Sequence, residues 1–303
     1  MEKLTKPFLL ISKPRDITSS KLLNEIKSNF GKTKIGHTGT LDPIATGLLV
    51  VALGYGTRLI PYLDTNVKEY FIKIVFGMQT DTDDITGNVI QRSSKKFEPL
   101  ILQNALSHFI GDIEQYPPSY SAKKVAGKEL YKYARLKQDM PQIKPVNVTI
   151  FDVETLGFGD NCASLRVVCS KGTYMRSLAR DIGTMLGTFG TIAAIARTRV
   201  GKFSIKDATT LSNIKNNLDK GFLSAEEALD LPVCTVGSPD GFKNGIDIPF
   251  EDCPEFANLS ELPKAYLGAN RKLIARSENG NFLGIASVEG NSLHPEVVVN
   301  ENY

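Results

Sequence analysis

The feature that most constrains this chain is a loop in which glycines and a proline surround a single carboxylate. The loop reads GHTGTLDPIATG over residues 36–47. Pro43 fixes its own backbone and favours an extended conformation at Asp42, while the glycines permit turns that other residues resist. The apolar run 48–53 that follows is long enough for a buried strand. We therefore expect a rigid loop at the edge of a buried sheet, with Asp42 held in one orientation, as a catalytic carboxylate requires.

This loop resembles the catalytic motif of the TruB family of tRNA pseudouridine synthases. The agreement is nearly continuous through GHTGTLDPIATG and the LLVVALGYGTRL that follows it. The resemblance covers about residues 7–232 well and becomes weak beyond them. In that family the aspartate is the nucleophile that isomerises a uridine in the T-loop of tRNA, so the resemblance implies this role for Asp42. An ordinary Asp-Pro turn is the alternative that the residues alone favour, and the length of the match argues against it.

A second segment, SKGTYMR at residues 170–176, resembles the family motif whose arginine pairs with the catalytic aspartate. The resemblance implies that Arg176 keeps Asp42 ionised in a partly buried site. Arg176 and Arg180 are four residues apart, opposite an apolar stripe, and an arginine in a first helical turn opposes the helix dipole at a cost of ~0.3–1 kcal/mol. Such a local conflict is more frequent where function demands it. The alternative is an ordinary surface salt bridge.

Four further residues match family positions that contact the target nucleotide or the RNA beside it. Tyr70 resembles the tyrosine that stacks on the base and assists removal of the C5 proton, although a lone tyrosine of this kind is usually core packing. Tyr174 and Ile195 match contacts to the flipped nucleotide, and Ile195 replaces a leucine of equal volume. His37 matches a residue that contacts RNA beside the extruded base. A Lys13-Pro14 pair resembles the first family motif, with Asp16 where glycine is usual.

The basic residues are concentrated in one segment. Residues 119–146 carry seven lysines and arginines against two acidic residues, a net charge of +5, whereas the whole chain carries +3. This pattern predicts an insertion that projects from the core and binds a polyanion, with a solvated lysine-rich face as the alternative. The basic residues are Lys123, Lys124, Lys128, Lys132, Arg135, Lys137 and Lys144.

The same segment resembles the family insertion that covers the T-arm of tRNA. The similarity lies in YSAK at 120–123 and GKELYKYAR at 127–135. Lysines would contact phosphates and tyrosines would stack on exposed bases, so that affinity falls steeply with salt. The RNA-binding residues implied are Lys123, Lys124, Lys128 and Arg135.

Composition excludes several classes of protein. A hydrophobic content of 42% and a charged content of 23% are typical of globular domains, and no apolar run approaches the ~20 residues of a membrane helix. The four cysteines form no CxxC pair and the three histidines are scattered, which indicates neither a zinc site nor a disulfide framework. We expect a cytoplasmic enzyme with no metal and no cofactor.

The apolar periodicity predicts alternating strands and helices. One helix is expected to be capped by Ser19 or Ser20, a second to begin at Glu98 and Pro99, and a third to begin at Thr173. Connecting helices are expected within 205–231. The helix from Thr173 should bury Leu178, Ile182, Met185 and Leu186. Strands are predicted at residues 6–12, 48–53, 70–76, 146–156, 163–170 and 192–200.

These patterns and the resemblance together predict an α/β (α+β) fold. We expect a pseudouridine synthase core, residues 1–232, with a large mixed, mostly antiparallel sheet and an inserted thumb at about 119–146. A small C-terminal β-rich, PUA-like domain should occupy residues 233–303, where acidic residues outnumber basic ones.

The expected function is conversion of uridine 55 of tRNA to pseudouridine by a stand-alone monomer, without guide RNA or membrane. One alternative is a tRNA-binding or tRNA-folding protein without turnover. Another is a hydrolase of glycosidic bonds, although that chemistry usually needs a second catalytic carboxylate, and no partner to Asp42 stands in a motif.

Overall fold

The computed structural model describes residues 6–121, 123–125, 127–136, 139, 141–215, 220–256 and 271–299. Lys137 of the basic segment and parts of the predicted connecting region and C-terminal domain lie outside the described residues. The helices are α1 (Ser19–Lys27), α2 (Gly56–Leu59), α3 (Pro99–Ser107), α4 (Leu130–Arg135), α5 (Met175–Met185), α6 (Leu211–Lys215), α7 (Ala225–Ala228) and α8 (Pro239–Lys243), with 3-10 turns at Ile60–Tyr62, Ile205–Asp207, Phe250–Asp252 and Pro254–Phe256.

The strands of the described residues form two large sheets and two short hairpins. In chain order they are β1 (Phe8–Lys13), β2 (Ile35–His37), β3 (Thr46–Leu53), β4 (Val67–Phe76), β5 (Met78–Thr80), β6 (Val89–Arg92), β7 (Gly111–Gln115), β8 (Lys124–Val125), β9 (Lys128–Glu129), β10 (Val146–Gly159), β11 (Cys162–Ser170), β12 (Gly190–Val200), β13 (Phe203–Ser204), β14 (Phe222–Leu223), β15 (Val233–Val236), β16 (Ile248–Pro249), β17 (Lys272–Ser277), β18 (Phe282–Glu289) and β19 (Ser292–Val298).

The main sheet is mixed and mostly antiparallel, as predicted. Its order is β14-β1-β3-β12-β4-β11-β10-β7, with β2 on β3 and β13 on β12. Only the β3–β12 pairing is parallel, and it spans two residue pairs at the start of β3. Beyond these pairs β2 replaces β12 as the neighbour of β3. The loop that carries Asp42 therefore connects the end of β2 to the start of β3, and it ends where β12 pairs with β3.

The apolar run of β3 is buried on both faces, which confirms the predicted buried strand. Leu49, Val51 and Leu53 pack with α1 and α6 on one face. Leu48 and Val50 pack on the other face with residues of the C-terminal sheet. Burial of both faces explains why apolar residues run without alternation along this strand.

Helices α3 and α5 cover one face of β4, β11 and β12. Strand β4 alternates as predicted, with Tyr70 and Ile72 buried and Phe71 exposed between them. The prediction for Met185 is wrong, because this last residue of α5 lies beside the buried stripe and is 49% exposed. Helix α5 also begins at Met175 rather than at Thr173.

Two helix predictions need correction. The N-cap of α1 is Thr18, whose hydroxyl accepts a hydrogen bond from the Lys21 amide, whereas Ser19 lies inside the helix. The described part of residues 205–231 holds only short helices, and β14 within it extends the main sheet by pairing with β1.

Asp16 has a φ of 66°, a left-handed conformation that aspartate tolerates better than most residues.

The C-terminal region is β-rich, as predicted. Its five strands have the order β15-β17-β18-β19-β16 around a core of their own. This sheet also packs on the main one, where Tyr55 stacks on Phe282 with ring centroids 6.0 Å apart and Arg58 donates to the Val298 carbonyl. Within the described residues, no helix has the length and apolarity needed to cross a bilayer.

Candidate active site

Asp42 and Arg176 form a two-point ion pair. The Arg176 Nε donates to Oδ2 of Asp42 and Nη2 donates to Oδ1, each at 2.9 Å. The side chain of Arg176 is 4% exposed and that of Asp42 is 33% exposed. Two parallel charge-assisted hydrogen bonds fix the plane of a carboxylate as well as its charge. Arg176 is thus not part of an ordinary surface salt bridge.

The remaining donors of Arg176 bind backbone carbonyls on two other segments. Nη1 donates to the Thr82 carbonyl at 3.1 Å and Nη2 to the Tyr120 carbonyl at 3.0 Å. Tyr120 lies at the start of the basic segment. The guanidinium therefore links the Asp42 loop, the β5–β6 turn and the base of the insertion, which are distant in sequence.

The turn between β5 and β6 supplies acidic residues that the sequence analysis did not assign. Asp83 has a φ of 59°, and its Oδ2 accepts from Arg180 Nη1 at 3.0 Å. Burial raises the pKa of Asp83, and the Arg180 charge opposes this rise. Asp84 is buried, with Oδ2 at 3.9 Å from Arg176 Nη1. The only sequence signal is a run of acidic residues ahead of a glycine.

Side chains from the N-terminal segments hold the Asp42 loop. The Ser19 Oγ accepts from the Leu41 amide at 3.0 Å and donates to the Leu41 carbonyl at 3.1 Å. The Lys13 Nζ donates to the carbonyls of Pro14 and Ile17 at 2.9 and 2.8 Å and lies 3.3 Å from that of Pro43. Burial lowers the pKa of Lys13 to about 8, opposed by Asp42. The Lys13-Pro14 pair thus helps to hold the Asp42 loop through contacts with backbone carbonyls.

Arg197 on β12 fixes the two ends of the loop. It is fully buried, and its Nε donates to the Leu48 carbonyl at 2.8 Å while Nη2 donates to the Gly39 carbonyl at 3.0 Å. Gly47 has a φ of 103°, and a Cβ there would lie 2.3 Å from the Arg197 carbonyl oxygen. Only glycine fits at this crossing of β3 and β12.

A cleft of about 470 Å³ opens beside the ion pair. It lies between the Asp42 loop, β4, the N-terminus of α5 and the base of the insertion. The structure brings six of the residues identified from the sequence to its walls. They are Asp42, Tyr70, Lys123, Tyr174, Arg176 and Ile195.

Tyr70 and Tyr174 are held differently within the cleft. Tyr70 is buried on β4, and this burial raises the pKa of its hydroxyl, with Arg197 opposing the rise. The backbone of Tyr174 is fixed by Gln115, whose Oε1 accepts from the Tyr174 amide at 3.0 Å. Burial also raises the pKa of the Tyr174 hydroxyl. Both phenols are neutral at pH 7.

His37 and three basic residues of the insertion lie away from the cleft walls. The His37 Nδ1 accepts from the Gly39 amide at 3.1 Å, and burial, Arg197 and Lys68 lower the pKa of its ring. Lys124 lies on β8, where it is exposed. The Lys128 ammonium lies 4.4 Å from the Tyr133 ring centroid, and the Arg135 guanidinium carbon lies 5.5 Å from that of Tyr131.

Sequence reasoning missed Arg197, Gln115 and Lys68. Each lines the cleft or holds one of its residues, and each lies on a strand that is distant in sequence from the Asp42 motif. The one available signal was the position of Lys68 two residues before Tyr70, which places both side chains on one face of β4. In the part of the chain that the structure describes, no group of three or more His, Cys, Asp or Glu residues is placed to hold a metal ion.

Comparison with known proteins identifies the family. Residues 27–175 match the model of the TruB family pseudouridylate synthase N-terminal domain, and residues 176–232 match the tRNA pseudouridylate synthase B C-terminal domain. The tRNA pseudouridine synthase B of Bordetella pertussis is 44% identical over 212 residues, 68% of this chain and 86% of that protein. That of Francisella philomiragia is 42% identical over 210 residues, 69% of each chain.

Two solved structures share the fold over nearly the whole chain. One is a Cbf5-Nop10-Gar1 complex, with a TM-score of 0.70 and 20% identity over 98% of this chain and 85% of that chain. The other is an H/ACA RNP bound to a substrate RNA, with a TM-score of 0.70 and 18% identity over 99% and 87%. They confirm the predicted fold class, including the C-terminal β-rich region. The family models and the relatives confirm the resemblance of the motifs: the chain belongs to the TruB family of pseudouridine synthases.

Proposed function

We propose that this protein converts uridine 55 in the T-loop of tRNA to pseudouridine, with Asp42 as the nucleophile. The observation that carries the proposal is the Asp42–Arg176 pair, which fixes one partly exposed carboxylate at the wall of an open cleft. Membership of the TruB family and relatives named tRNA pseudouridine synthase B support this reaction.

The reaction breaks one bond to the ribose and makes another. The N1–C1′ bond of uridine breaks, the base rotates, and a C5–C1′ bond forms as C5 loses its proton to solvent and N1 gains one. Asp42 adds to C1′ or to C6 and is released at the end, so that nothing is oxidised and no group leaves the RNA. This chemistry needs an ionised carboxylate shielded from bulk water and no cofactor.

Arg176 keeps that carboxylate reactive. A partly buried aspartate tends to take up a proton, whereas a guanidinium within hydrogen-bond distance favours the charged form. Because both oxygens of Asp42 are held, the carboxylate does not rotate as substrate enters. The backbone carbonyls of Thr82 and Tyr120 hold the guanidinium in turn, so the pair is organised before the RNA binds.

The walls of the cleft suit a flat pyrimidine. Tyr70 on β4 and Ile195 on β12 both line the cleft and offer a ring and a branched aliphatic chain for contact with the base. The raised pKa of Tyr70 keeps its hydroxyl protonated at neutral pH. This favours packing and hydrogen-bond donation over proton abstraction by the neutral phenol.

The basic insertion suits the RNA backbone. Lys123 lines the cleft, and Lys124, Lys128 and Arg135 extend the positive charge along the insertion beyond it. Contacts to phosphate supply affinity, which offsets the few kcal/mol needed to extrude a base that already lies in a loop. His37 supports the catalytic loop beside this path, in its neutral form.

We further propose that the protein acts without a guide RNA. The relatives that are 42–44% identical are named tRNA pseudouridine synthase B. The matched chains of the Cbf5-Nop10-Gar1 complex and of the H/ACA RNP are only 20% and 18% identical. The chain also carries its own basic insertion, which places positive charge beside the cleft. Both observations support direct binding of the T-arm.

Mapping of the product tests the proposal. An unmodified tRNA transcript is incubated with the protein, treated with a carbodiimide that marks pseudouridine, and read by primer extension. We expect one stop next to position 55. Tight binding with no stop would leave the tRNA-binding alternative, and release of free uracil would indicate the hydrolase. A stop elsewhere would keep the isomerase and reject the position.

A further inference from the structure

One cation in the cleft has no hydrogen-bond or ion-pair partner within the described part of the chain. Lys68 lies on β4, lines the cleft and is only 9% exposed. Among the residues that the structure describes, its ammonium makes no hydrogen bond and no ion pair. Burial without a partner is costly for a charged group. A side chain held in this way indicates a group that arrives with the substrate.

The surroundings of Lys68 are positive on each neighbouring element. Arg197 approaches from β12, and Lys171 follows β11; both charges lower the pKa of Lys68, to about 8, after burial as the main cause. The Cys169 thiol on β11 and the His37 ring are titratable neighbours of Lys68. Burial raises the pKa of Cys169 to about 11, and burial together with the charges of Arg197 and Lys68 lowers that of His37, so both groups are neutral at pH 7. Lys68 is still mostly protonated at that pH.

The backbone leaves a recess at this ammonium. A Cβ on Gly39 would lie 3.1 Å from the Lys68 Nζ and 3.7 Å from the Arg197 Nη1. Glycine at this position leaves space beside the two cations on the side of the Asp42 loop. Arg197 already donates to the Leu48 and Gly39 carbonyls, so Lys68 carries the uncommitted charge.

The acidic residues of the site do not compensate it. Asp42 is paired with Arg176, Asp83 is paired with Arg180, and Asp84 lies 3.9 Å from Arg176. The corner formed by Lys68, Lys171 and Arg197 therefore has an excess of positive charge before substrate binds. An anionic ligand removes this excess, whereas a neutral carbonyl of the base leaves it in place.

The spacing along β4 relates this corner to the target base. Lys68 and Tyr70 are two residues apart, and both are buried on the same face of the strand. Such neighbours lie about 7 Å apart. A group at Lys68 thus lies about one nucleotide's length from a base stacked on Tyr70.

We propose that the Lys68 ammonium binds a phosphate oxygen of the RNA backbone directly flanking the target uridine. Lys171 and Arg197 add positive potential at the same corner. Lys68 is then a substrate-binding residue that places the ribose of the target against Asp42. This inference rests on the proposed function, since it assumes that a uridine of an RNA strand occupies the cleft.

The test compares two lysines of one strand. Lys68→Met removes the charge and keeps the length of the side chain, and Lys68→Arg restores a charge. Lys73→Met is the matched control, because Lys73 is exposed on the other face of β4. We expect Lys68→Met to weaken binding of a T-arm stem-loop about tenfold and to reduce the salt dependence by about one phosphate contact. Lys68→Arg should recover part of the loss, and Lys73→Met should bind as the wild type does.

Neutral phosphate analogues identify the contact. Stem-loops carrying a single methylphosphonate 5′ or 3′ of the target uridine are bound by wild type and by Lys68→Met. One of the two should weaken binding to wild type about tenfold and leave binding to Lys68→Met unchanged. Equal penalties in both proteins, or no penalty for wild type at either position, would overturn the proposal.

Turnover separates this proposal from the one on which it rests. Lys68→Met with normal affinity but slow turnover at saturating RNA would place the ammonium on the uracil and overturn the phosphate contact. If wild type formed no pseudouridine in the unmodified stem-loop, the proposed function itself would fail. A thermal melt of each variant identifies any loss of folding, and the methylphosphonate penalties of the wild type need no variant at all.

Discussion

The interior of the cleft and the basic insertion both carry charge but hold it differently. In the interior, Arg176 and Arg197 are buried, and hydrogen bonds to carboxylates or backbone carbonyls fix their guanidinium groups. On the insertion, Lys124 is exposed, and Lys128 and Arg135 lie over tyrosine rings of the same segment. The two buried guanidinium groups are therefore positioned before substrate arrives, whereas the charged side chains of the insertion can adjust to it.

This difference separates two contributions to function. A fixed charge stabilises a transition state because it needs no reorganisation during the reaction. Exposed charges contribute to encounter and affinity, and salt screens them. Changes at Asp42 and at the hydrogen-bonded Arg176 should therefore act on turnover at saturating tRNA. Changes in the insertion, like that at the unpaired Lys68, should act on affinity.

The largest effect is expected at Asp42. Asp42→Asn keeps the shape of the side chain and removes the proposed nucleophile, so turnover should fall by roughly 10⁴-fold or more. Affinity for tRNA should stay within a few-fold, because phosphate contacts dominate binding. Single-turnover kinetics and filter binding measure the two quantities, with Asp160→Asn at an exposed turn as the control. Retained activity would reject Asp42 as the nucleophile.

Arg176→Lys sharpens the comparison without a change of charge. A lysine cannot bind both Asp42 oxygens and the Thr82 and Tyr120 carbonyls at once, so turnover should fall by roughly 10²-fold. Arg135→Lys on the insertion keeps an adaptable charge and should leave turnover unchanged. The rate of pseudouridine formation at saturating tRNA, measured in reactions quenched at set times, compares the two variants. Equal turnover in both would mean that the fixed geometry of Arg176 contributes nothing.

Gly47 and Gly111 test the rigidity of the loop. Both have a φ of 103°, but a Cβ meets the Arg197 backbone only at Gly47, and open space at Gly111. Alanine at either position costs about 1–2 kcal/mol for the left-handed backbone. At Gly47 the steric conflict should add about 1–3 kcal/mol. Denaturant unfolding measures both variants, and similar losses would show that the β3–β12 crossing adapts.

The insertion should respond in affinity alone. Combined Lys124→Ala, Lys128→Ala and Arg135→Ala should weaken tRNA binding by roughly 10–100-fold at low salt and lower the salt slope by about two to three. Saturating turnover should stay within about threefold of wild type. Three exposed lysines elsewhere, Lys21, Lys27 and Lys32, changed to Ala, form the control. An unchanged slope would show that the insertion does not touch the phosphates.

The smallest effect concerns His37. Its pKa is lowered from 6.5 by burial and by Arg197 and Lys68, so below pH 6.5 the unfolded chain binds more protons at this residue than the folded protein. The free energy of unfolding should therefore decrease as the pH falls below about 6.5. His37→Gln keeps an acceptor for the Gly39 amide and should reduce this dependence. An identical pH profile in both proteins would contradict the neutral, buried role of His37.

The local features of the fold were predictable, and the long-range ones were not. The buried run of β3 and the alternation of β4 follow from apolar periodicity, because burial of one or both faces imposes it. The region after Ile205 was predicted as connecting helices. This prediction is wrong for β14, because its tertiary pairing with β1 outweighs the local propensity.

The candidate site divides in the same way. That Asp42, Tyr70 and Arg176 lie in one cleft could be predicted because each lies in a local motif. Arg197 and Lys68 could not, because their proximity to the loop arises only when β12 and β4 pair in the sheet. Asp83 was missed because no local pattern links it with Arg180, its partner on α5.

The most direct test of the central claim is release of tritium from C5 of uridine in tRNA transcripts. Wild type and Asp42→Asn are each given one transcript with uridine and one with cytidine at position 55. The account predicts release only from wild type with the uridine transcript. Release by Asp42→Asn at a similar rate, or equal release by wild type from both transcripts, would contradict it.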